Sequence, residues 1–284
     1  MKSKRFFPAV LLVLLTLQLQ AQQAGNCIPS YTTKGSESAY KAGERMDFII
    51  HYKFGIIDSD IASASVTLDT VRVGAQKAFH CRVYGETARL YRRMFPIVED
   101  FNSWFSYDNL KPLRFTRNTK ECSYTARNRY VYYWDNVESP YIDAELYNNR
   151  SDSTRFMDIA LKPCTFDLPS LFFFARNIDM SKVKPNIKYP MTFAIDDEVY
   201  DVHFIYEGKC VKKVKGLGNI RCLKFYAALL EGEVFKGDYD MELYISDDRN
   251  RLPVLFGAPI IIGEVQGRMT GVSGLKYPFD AKID

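Results

Sequence analysis

Apolar and polar residues alternate along most of the chain after residue 43. From Met46 to Phe54 every second residue is apolar or aromatic, and the same period returns from Ala62 to Leu68. A period of two places alternate side chains on opposite faces of a β-strand. The acidic segment Asp58-Ser59-Asp60 between the two runs is typical of a turn, so the sequence predicts a hairpin here.

Further segments of the same kind follow, separated by turn signals. They predict strands at 78–87, 98–107, 113–120, 122–135, 141–148, 153–160, 188–195, 199–213, 219–230, 239–246, 252–262 and 264–273. Helical patterning is scarce. It is confined to a short turn at Ala88–Phe95 and a helix at Leu168–Asn177, which Asp167 can cap and in which Pro169 occupies the first turn.

These elements predict an all-β fold with minor α content. We expect a large curved antiparallel sheet or half-barrel, with the short helix packed on its concave face. Residues 43–284 are expected to form a single β domain, because neither a linker nor a charge block divides them. Residues 22–42 are polar and small, and they predict a loosely ordered N-terminal arm.

The first residues have the pattern of a secretory leader. Lys2, Lys4 and Arg5 precede an apolar run from Phe6 to Leu19, which is shorter than the roughly 20 residues that a spanning helix needs. The sequence therefore predicts a signal peptide at 1–21, cut after Ala21, and an exported protein of the periplasm or outer cell envelope. Leu19 fits the small-residue rule at the cleavage site poorly, so an uncleaved anchor stays as the alternative.

Charge gives no general reason to expect nucleic-acid binding. Three of the 38 basic residues lie in residues 1–21, which leaves 35 basic against 34 acidic residues and a net charge of +1. One local basic cluster stands out, at Lys209, Lys212, Lys213 and Lys215. It predicts either a solvated hairpin tip or a contact with an anionic headgroup or glycan.

The six cysteines predict one disulfide and no metal site. No C-x-x-C occurs, and His51, His80 and His203 are not grouped at ligand spacing, so neither a metal nor a cofactor is expected. Gly216 lies midway between Cys210 and Cys222, which places these two opposite each other in a hairpin and predicts a bond between them. The sequence does not assign the other four, Cys27, Cys81, Cys122 and Cys164.

Motifs of catalysis are missing from the sequence. It contains no G-x-S-x-G elbow, and its acidic clusters lie beside Gly, Ser or Asn in the manner of turns. We therefore expect a non-catalytic protein. A hydrolase acting on an envelope glycan is an alternative that requires two carboxylates facing one cleft.

The aromatic residues suggest a ligand. Tyr130, Tyr132 and Trp134 occupy one face of a predicted strand, while Phe172, Phe173 and Phe174 are consecutive on a predicted helix and cannot all enter one core. One interpretation is a helix that packs across a curved sheet without a ligand. The other is a concave apolar cavity, lined by these six residues, that holds a hydrophobic or lipid-like ligand.

If the cavity exists, we expect the partners to be a hydrophobic ligand or an envelope component, with peripheral membrane contact and no nucleic acid. A structural or assembly factor acting through protein–protein contacts is the remaining alternative.

Several segments together resemble the bacterial domain-of-unknown-function 3108 family of exported proteins. They are, in order, Gly43-Glu44, Tyr52-x-Phe54-Gly55, Val98-Glu99-Asp100-Phe101-x-Ser103, Lys111-Pro112, Asp167-x-x-Ser170 with Arg176, Ile245-Ser246-Asp247-Asp248 and Arg251-Leu252-Pro253-Val254. One departure is Asp60-Ile61-Ala62, where the family tends to have Gly-x-Ala. The resemblance implies an architecture similar to periplasmic lipoprotein-carrier half-barrels and supplies no established activity.

Overall fold

A computed structural model describes residues 32, 34–135, 137–228, 240–260 and 263–283. Its strands are β1 (Glu44–Phe54), β2 (Ile57–Val73), β3 (Gln76–Thr87), β4 (Ile97–Ser106), β5 (Pro112–Glu121), β6 (Tyr124–Tyr133), β7 (Tyr141–Asn148), β8 (Ser153–Ala160), β9 (Thr165–Phe166), β10 (Lys188–Ile195), β11 (Glu198–Val214), β12 (Gly218–Ala228), β13 (Asp240–Ser246), β14 (Pro253–Pro259) and β15 (Glu264–Ser273). The helix is α1 (Leu168–Ala175). The predicted signal peptide lies outside the described residues.

All strands belong to one 15-stranded sheet in the order β8-β7-β6-β5-β4-β3-β2-β1-β15-β14-β13-β12-β11-β10-β9. Each pair of neighbours is antiparallel except β9 and β10. The first and last strands pair in the middle of the sheet, from Arg45 opposite Ser273 to Lys53 opposite Glu264. The all-β class with minor helix is therefore confirmed.

The sheet curls until its two ends meet through side chains. The turn between β10 and β11 reaches the inner face of β5 and β6, where Asp196 accepts hydrogen bonds from Arg117 and Asn128, both at 3.0 Å. Ion pairs join Arg155 to Asp197 at 3.0 Å and Lys162 to Asp201 at 2.6 Å. The structure is thus barrel-like, with ionic contacts where a closed barrel would have a ladder of backbone hydrogen bonds.

Helix α1 lies inside the curve and contacts β3, β4 and β10. Asp167 is the N-cap as predicted: its carboxylate accepts from the Ser170 backbone N–H at 2.9 Å, and the Ser170 hydroxyl oxygen accepts from the Asp167 N–H at 3.1 Å. This capping box satisfies backbone donors that a helix start would otherwise leave free. The concave-face helix predicted from the sequence is confirmed.

The position of the first turn was wrongly predicted. The chain turns at Gly55 and Ile56, whereas Asp58 and Asp60 lie inside β2. The two carboxylates are accommodated in a strand because His51, on the neighbouring strand, lies 2.7 Å from Asp58 and 2.9 Å from Asp60. Side-chain contacts with His51, rather than turn chemistry, explain this acidic segment.

The described part of the predicted N-terminal arm is packed. Ala39 and Tyr40 are fully buried, and the Tyr40 ring lies 4.8 Å from that of Phe173 on α1. The Ala39 N–H also donates to the Asn177 side chain at 3.0 Å. Ser38, Ala39 and Tyr40 are therefore packed into the core, whereas the loose arm predicted from the sequence would leave them free. Exposed residues of this segment are Lys34, Ser36, Glu37, Lys41 and Ala42.

Candidate functional site

The aromatic residues singled out in the sequence are divided among separate clusters. Phe173 packs with Tyr40 and Phe105, whereas Phe174 lies 4.5 Å from Phe166 in a neighbouring cluster. Phe172 is half-buried at the edge of the first cluster. Three consecutive rings on the helix thus serve mainly to join two parts of the core.

The aromatic strand β6 contributes to a third cluster. Tyr130 and Tyr132 are buried there, and the Trp134 indole N–H donates to the Pro112 carbonyl at 2.8 Å. The rings of Tyr130 and Tyr132 belong to a different cluster from Phe172 to Phe174. Neither of the two recesses described below is lined by any of the six predicted residues.

Two recesses lie on the opposite, convex face of the sheet. They exist because the hairpin of β11 and β12 leaves the sheet: pairing of β12 with β13 ends at Cys222 opposite Ser246, and the hairpin continues beyond it. In the strand order, β11 is separated from β1 by four strands spaced about 4.8 Å apart. Lys213 and Lys215 nevertheless line a recess with His51 and Asp60, so the hairpin folds back across the convex face.

This folding leaves two adjoining recesses, which we call the hairpin groove. The larger has a volume of about 470 Å³ and the smaller about 260 Å³, and Lys212, Leu255 and Gln266 line both. The other residues of the larger recess are Tyr226, Glu242, Tyr244, Phe256, Gly257, Ala258, Pro259, Gly263 and Glu264. Those of the smaller recess are His51, Asp60, Lys213, Val214, Lys215 and Arg268.

The larger recess has a wall of hydrogen-bonded tyrosines and charged groups. The Tyr244 hydroxyl donates to Glu242 at 3.0 Å, and the Lys212 ammonium donates to that hydroxyl at 3.3 Å while lying 4.3 Å from the ring centre. Lys224 donates to the Tyr226 hydroxyl at 2.8 Å and pairs with Glu207 at 2.7 Å, and this pairing raises the pKa of Lys224. These contacts fix both tyrosine rings at the surface of the recess.

The smaller recess is mainly basic. Arg268 is nine-tenths buried and forms a bidentate ion pair with Asp60 at 2.8 and 2.6 Å, which holds the pKa of that carboxyl well below its usual range. The Arg268 Nε atom is buried and has no hydrogen-bond partner among the described residues. Lys213 and Lys215 line the recess without an ion pair in the described part of the chain. The positive charge here therefore exceeds what Asp60 neutralises.

The predicted hairpin register is confirmed, but the predicted disulfide is wrong. Cys210 lies opposite Cys222, as expected, yet both are free thiols in the structure. The Cβ atoms of directly opposed residues are typically about 4.5–5.5 Å apart, beyond the usual disulfide separation of about 3.8 Å. The Cys222 thiol instead donates to the Ile220 carbonyl at 3.4 Å. Cys27 lies outside the described residues, and Cys164 is not among the free thiols.

We expect the four free thiols to react with iodoacetamide in the order of their exposure. Cys122 is exposed and should react first, with Cys210 slower. Burial raises the pKa of Cys222 to about 12 and that of Cys81 well above its usual value, so these two should react only after unfolding. Peptide mapping after timed labelling measures the order, and early labelling of Cys81 would contradict it.

Several of the residues that carry the family resemblance meet in buried polar contacts. Arg176 forms an ion pair with Glu44 inside the core and donates to the Asn250 carbonyl at 3.0 and 2.8 Å. The Ser103 hydroxyl donates to Asp167 at 3.0 Å, and Ser246 accepts from the Leu252 N–H at 2.7 Å. These contacts tie β1, β4, α1 and the β13–β14 turn together, so the shared motif encodes the fold.

Sequence reasoning found only part of the hairpin groove. The lysine cluster was noted for its charge, whereas Tyr226, Tyr244, Arg268 and Asp60 were not brought together by any motif. Within the described residues, no group of three or more His, Cys, Asp or Glu side chains is placed to hold a metal. None of the described helices has the length and apolar character needed to cross a membrane.

Comparison with known proteins agrees with the fold and adds no activity. Similar solved structures include the crystal structure of a beta-barrel-like protein of domain of unknown function DUF1849 from Brucella abortus, at a TM-score of 0.53 and 11% identity, covering 82% of this chain and 98% of that one. No curated protein matches the chain. The model of the family described as protein of unknown function (DUF3108) matches residues 47–270, which is most of the chain. The chain therefore belongs to the DUF3108 family.

Proposed function

We propose that this is a non-catalytic, exported envelope protein that binds an anionic, hydroxyl-rich molecule in the hairpin groove. The supporting observation is the division of the groove into a basic end and a tyrosine-lined end. Lys213, Lys215 and Arg268 line the basic end. A phosphate or carboxylate group there would gain charge-assisted hydrogen bonds from lysines that have no ion pair in the described residues.

The larger recess suits a sugar or polar headgroup better than an acyl chain. Its lining combines two fixed tyrosine rings with Glu242, Glu264 and Gln266, whose oxygen atoms can accept hydrogen bonds from hydroxyl groups. An acyl chain would displace water from these polar groups without offering them hydrogen bonds, which costs free energy. The ligand class is thus a phosphorylated or acidic sugar, or a headgroup of that chemistry.

Export is supported by the basic and apolar leader pattern at residues 1–21. The proposed absence of catalysis is supported by two carboxylates of the groove that are already engaged: Glu242 accepts from Tyr244, and Asp60 is held by Arg268. A concave cavity for a hydrophobic ligand has weaker support, since Phe173, Phe174, Tyr130 and Tyr132 are packed in the core.

Ligand titration with matched sugars tests the groove. Glucose 1-phosphate is expected to shift the nuclear magnetic resonance signals of groove residues such as Gln266, and neutral glucose is expected to do so more weakly. Replacing Lys213 and Lys215 together by glutamine should weaken binding of the sugar phosphate by about tenfold or more, because one lost charge-assisted hydrogen bond costs about 1.5–3 kcal/mol and a factor of ten in affinity corresponds to about 1.4 kcal/mol. Lys209→Gln is the control, since Lys209 belongs to the same hairpin but pairs with Asp247 at 2.8 Å.

Two results would count against this function. Equal binding of glucose and glucose 1-phosphate would show that the ligand needs no anionic group. An equal loss of affinity in the Lys209 control and in the double variant would show that any positive charge on the hairpin suffices. Organic extraction and mass spectrometry of protein from its native host tests the hydrophobic alternative. A co-purifying acyl lipid that survives the Lys213 and Lys215 replacements would favour the concave face.

A further inference from the structure

One end of the barrel exposes a group of apolar side chains, which we call the apolar rim. It consists of Phe54, Ile56, Ile57, Leu90, Met94 and Phe95. Ile56 is fully exposed, and Leu90 and Met94 are 78% and 65% exposed. Single exposed apolar residues are common, but six on two neighbouring turns indicate a surface that meets something apolar.

The two turns that carry the rim are held side by side. One joins β1 to β2, and the other is the 88–96 segment between β3 and β4. The Ala88 N–H donates to the Ile61 carbonyl at 2.8 Å, and the Tyr91 hydroxyl donates to Ser59 Oγ at 2.7 Å. Residues 57 to 61 are therefore in direct contact with the second turn.

The second turn is also ordered from within. The Arg92 N–H donates to the Ala88 carbonyl at 3.0 Å, and the Phe95 N–H donates to the Tyr91 carbonyl at 2.9 Å. These helix-like bonds point Leu90, Met94 and Phe95 outward on a fixed backbone. Their exposure is thus built into the fold.

Basic residues alternate with the apolar ones. From Ala88 to Pro96 the turn contains Arg89, Arg92 and Arg93 and no acidic residue. Arg92 pairs with Glu86 at 3.0 Å, whereas Arg89 and Arg93 are exposed and without an ion pair in the described residues. On the first turn, Lys53 is exposed, and the nearby Asp58 is bound to His51.

We propose that the apolar rim docks on the surface of an anionic lipid bilayer. Apolar tips that insert among the headgroups, with arginines at headgroup level, have the charge and polarity of interfacial membrane-binding segments. A protein partner would require a continuous surface of about 800 Å². The rim instead consists of two protruding turns in which arginines separate the apolar tips, and this convex shape fits a fluid interface.

Co-sedimentation with vesicles tests the proposal in the full chain. The probes are vesicles of phosphatidylcholine alone and of phosphatidylcholine mixed with phosphatidylglycerol. Intact mass is measured first, because an uncleaved apolar leader would bind vesicles by itself. We expect binding to the mixed vesicles, weakened by salt, and much weaker binding to phosphatidylcholine.

Variants separate the contribution of the apolar side chains from that of the arginines. Ile56→Ser with Leu90→Ser should lower partitioning by about tenfold or more, whereas Phe156→Ser on β8, which is also 71% exposed, should leave it unchanged. Arg89→Gln with Arg93→Gln should weaken binding by roughly fivefold for each arginine, whereas Arg127→Gln with Arg129→Gln on the exposed side of β6 should not.

The proposal fails if the protein does not bind the mixed vesicles, or if the rim variants bind as well as the unchanged chain. Sedimentation of the protein without vesicles that the rim variants abolish would show that the rim contacts a second copy instead. The variant with Lys213 and Lys215 replaced should still bind vesicles. The proposed sugar-phosphate binding in the groove and the proposed membrane docking of the rim can therefore fail independently of each other.

Discussion

Replacing Glu44 with alanine is expected to lower the free energy of unfolding by about 3–5 kcal/mol, the typical cost of leaving a buried charge unpaired. The Arg176 side chain is 2% exposed and that of Glu44 is 0% exposed. Besides the ion pair, Arg176 binds the Asn250 carbonyl and lies 5.2 Å from the Tyr40 ring centre. In the variant its guanidinium would stay buried with only a neutral carbonyl and two rings as partners.

Urea unfolding followed by tryptophan fluorescence measures this effect. Arg45→Ala is the matched control on the same strand, because Arg45 pairs with Asp47 at the surface, where both side chains are about half exposed. Exposed pairs typically contribute about 0–1 kcal/mol, so the control should unfold almost as the unchanged chain does.

A second comparison separates the cost of an unpaired charge from the value of the pair. Glu44→Leu combined with Arg176→Met removes both charges, and it should be more stable than Glu44→Ala alone. If the double variant is as unstable as the single one, the unpaired charge of Arg176 is not the cause of the instability, and the loss reflects the contacts that both variants lack. If Glu44→Ala matches its surface control, the buried pair is not a determinant of stability.

Alternation of side chains predicted most of the strands because it depends on local chemistry. A strand with one buried face needs apolar residues at every second position, and the pattern is therefore readable without knowledge of the partner strand. The helix could also be predicted from the sequence, because Asp167 and Pro169 act within one turn of the residues that they stabilise. The order of the strands follows from short antiparallel connections.

The hairpin groove could not be predicted in the same way. Its central ion pair joins Asp60 to Arg268, which are 208 residues apart, and its lysines reach it only because the β11–β12 hairpin leaves the sheet. A hydrophobic pattern reports which face of a strand is buried and not which distant segment covers it. The strand β14 illustrates this, because Val254 and Leu255 are both buried although they point to opposite faces.

The family motif was recognisable but its meaning was not. Glu44 and Arg176 are 132 residues apart in sequence, and only the folded chain shows that they pair. Motif residues that meet in the core explain why the resemblance predicts the fold and gives no activity. The groove and the rim lie mostly outside these motif residues, so the resemblance gives no information about the ligand and the membrane contact that we propose.

Asp167 is expected to make the protein less stable as the pH rises from about 4 to about 6. Its carboxyl is fully buried at the start of α1, and burial raises its pKa to about 6 despite hydrogen bonds from Ser170 and Ser103. The Tyr132 hydroxyl, buried nearby, also favours the charged carboxylate. Desolvation therefore outweighs the donors that favour the charged form.

The direction of the effect follows from proton binding. The unfolded chain has the ordinary value of 3.8, so between about 4 and 6 the folded state holds a proton that the unfolded state has lost. Stability consequently falls with rising pH in this window and levels off above it. The difference between the two values corresponds to about 3 kcal/mol.

Asp167→Asn should remove this dependence while keeping the helix, because asparagine is as good an N-cap as aspartate. Urea unfolding at several pH values between 4 and 7 gives the difference in stability between the variant and the unchanged chain. As the pH rises, the free energy of unfolding of the variant should increase relative to that of the unchanged chain, by at most about 3 kcal/mol.

Comparing variants is necessary because Glu99, whose pKa burial raises to about 7, contributes in the same direction at somewhat higher pH. Asp179→Asn is the control: hydrogen bonds from Ser181 and Lys182 lower the pKa of Asp179, so its contribution is lost as the pH falls and has the opposite sign. A constant difference between Asp167→Asn and the unchanged chain across the window would mean that Asp167 is ionised throughout. In that case its hydrogen bonds with Ser103 and Ser170 would have to outweigh its burial.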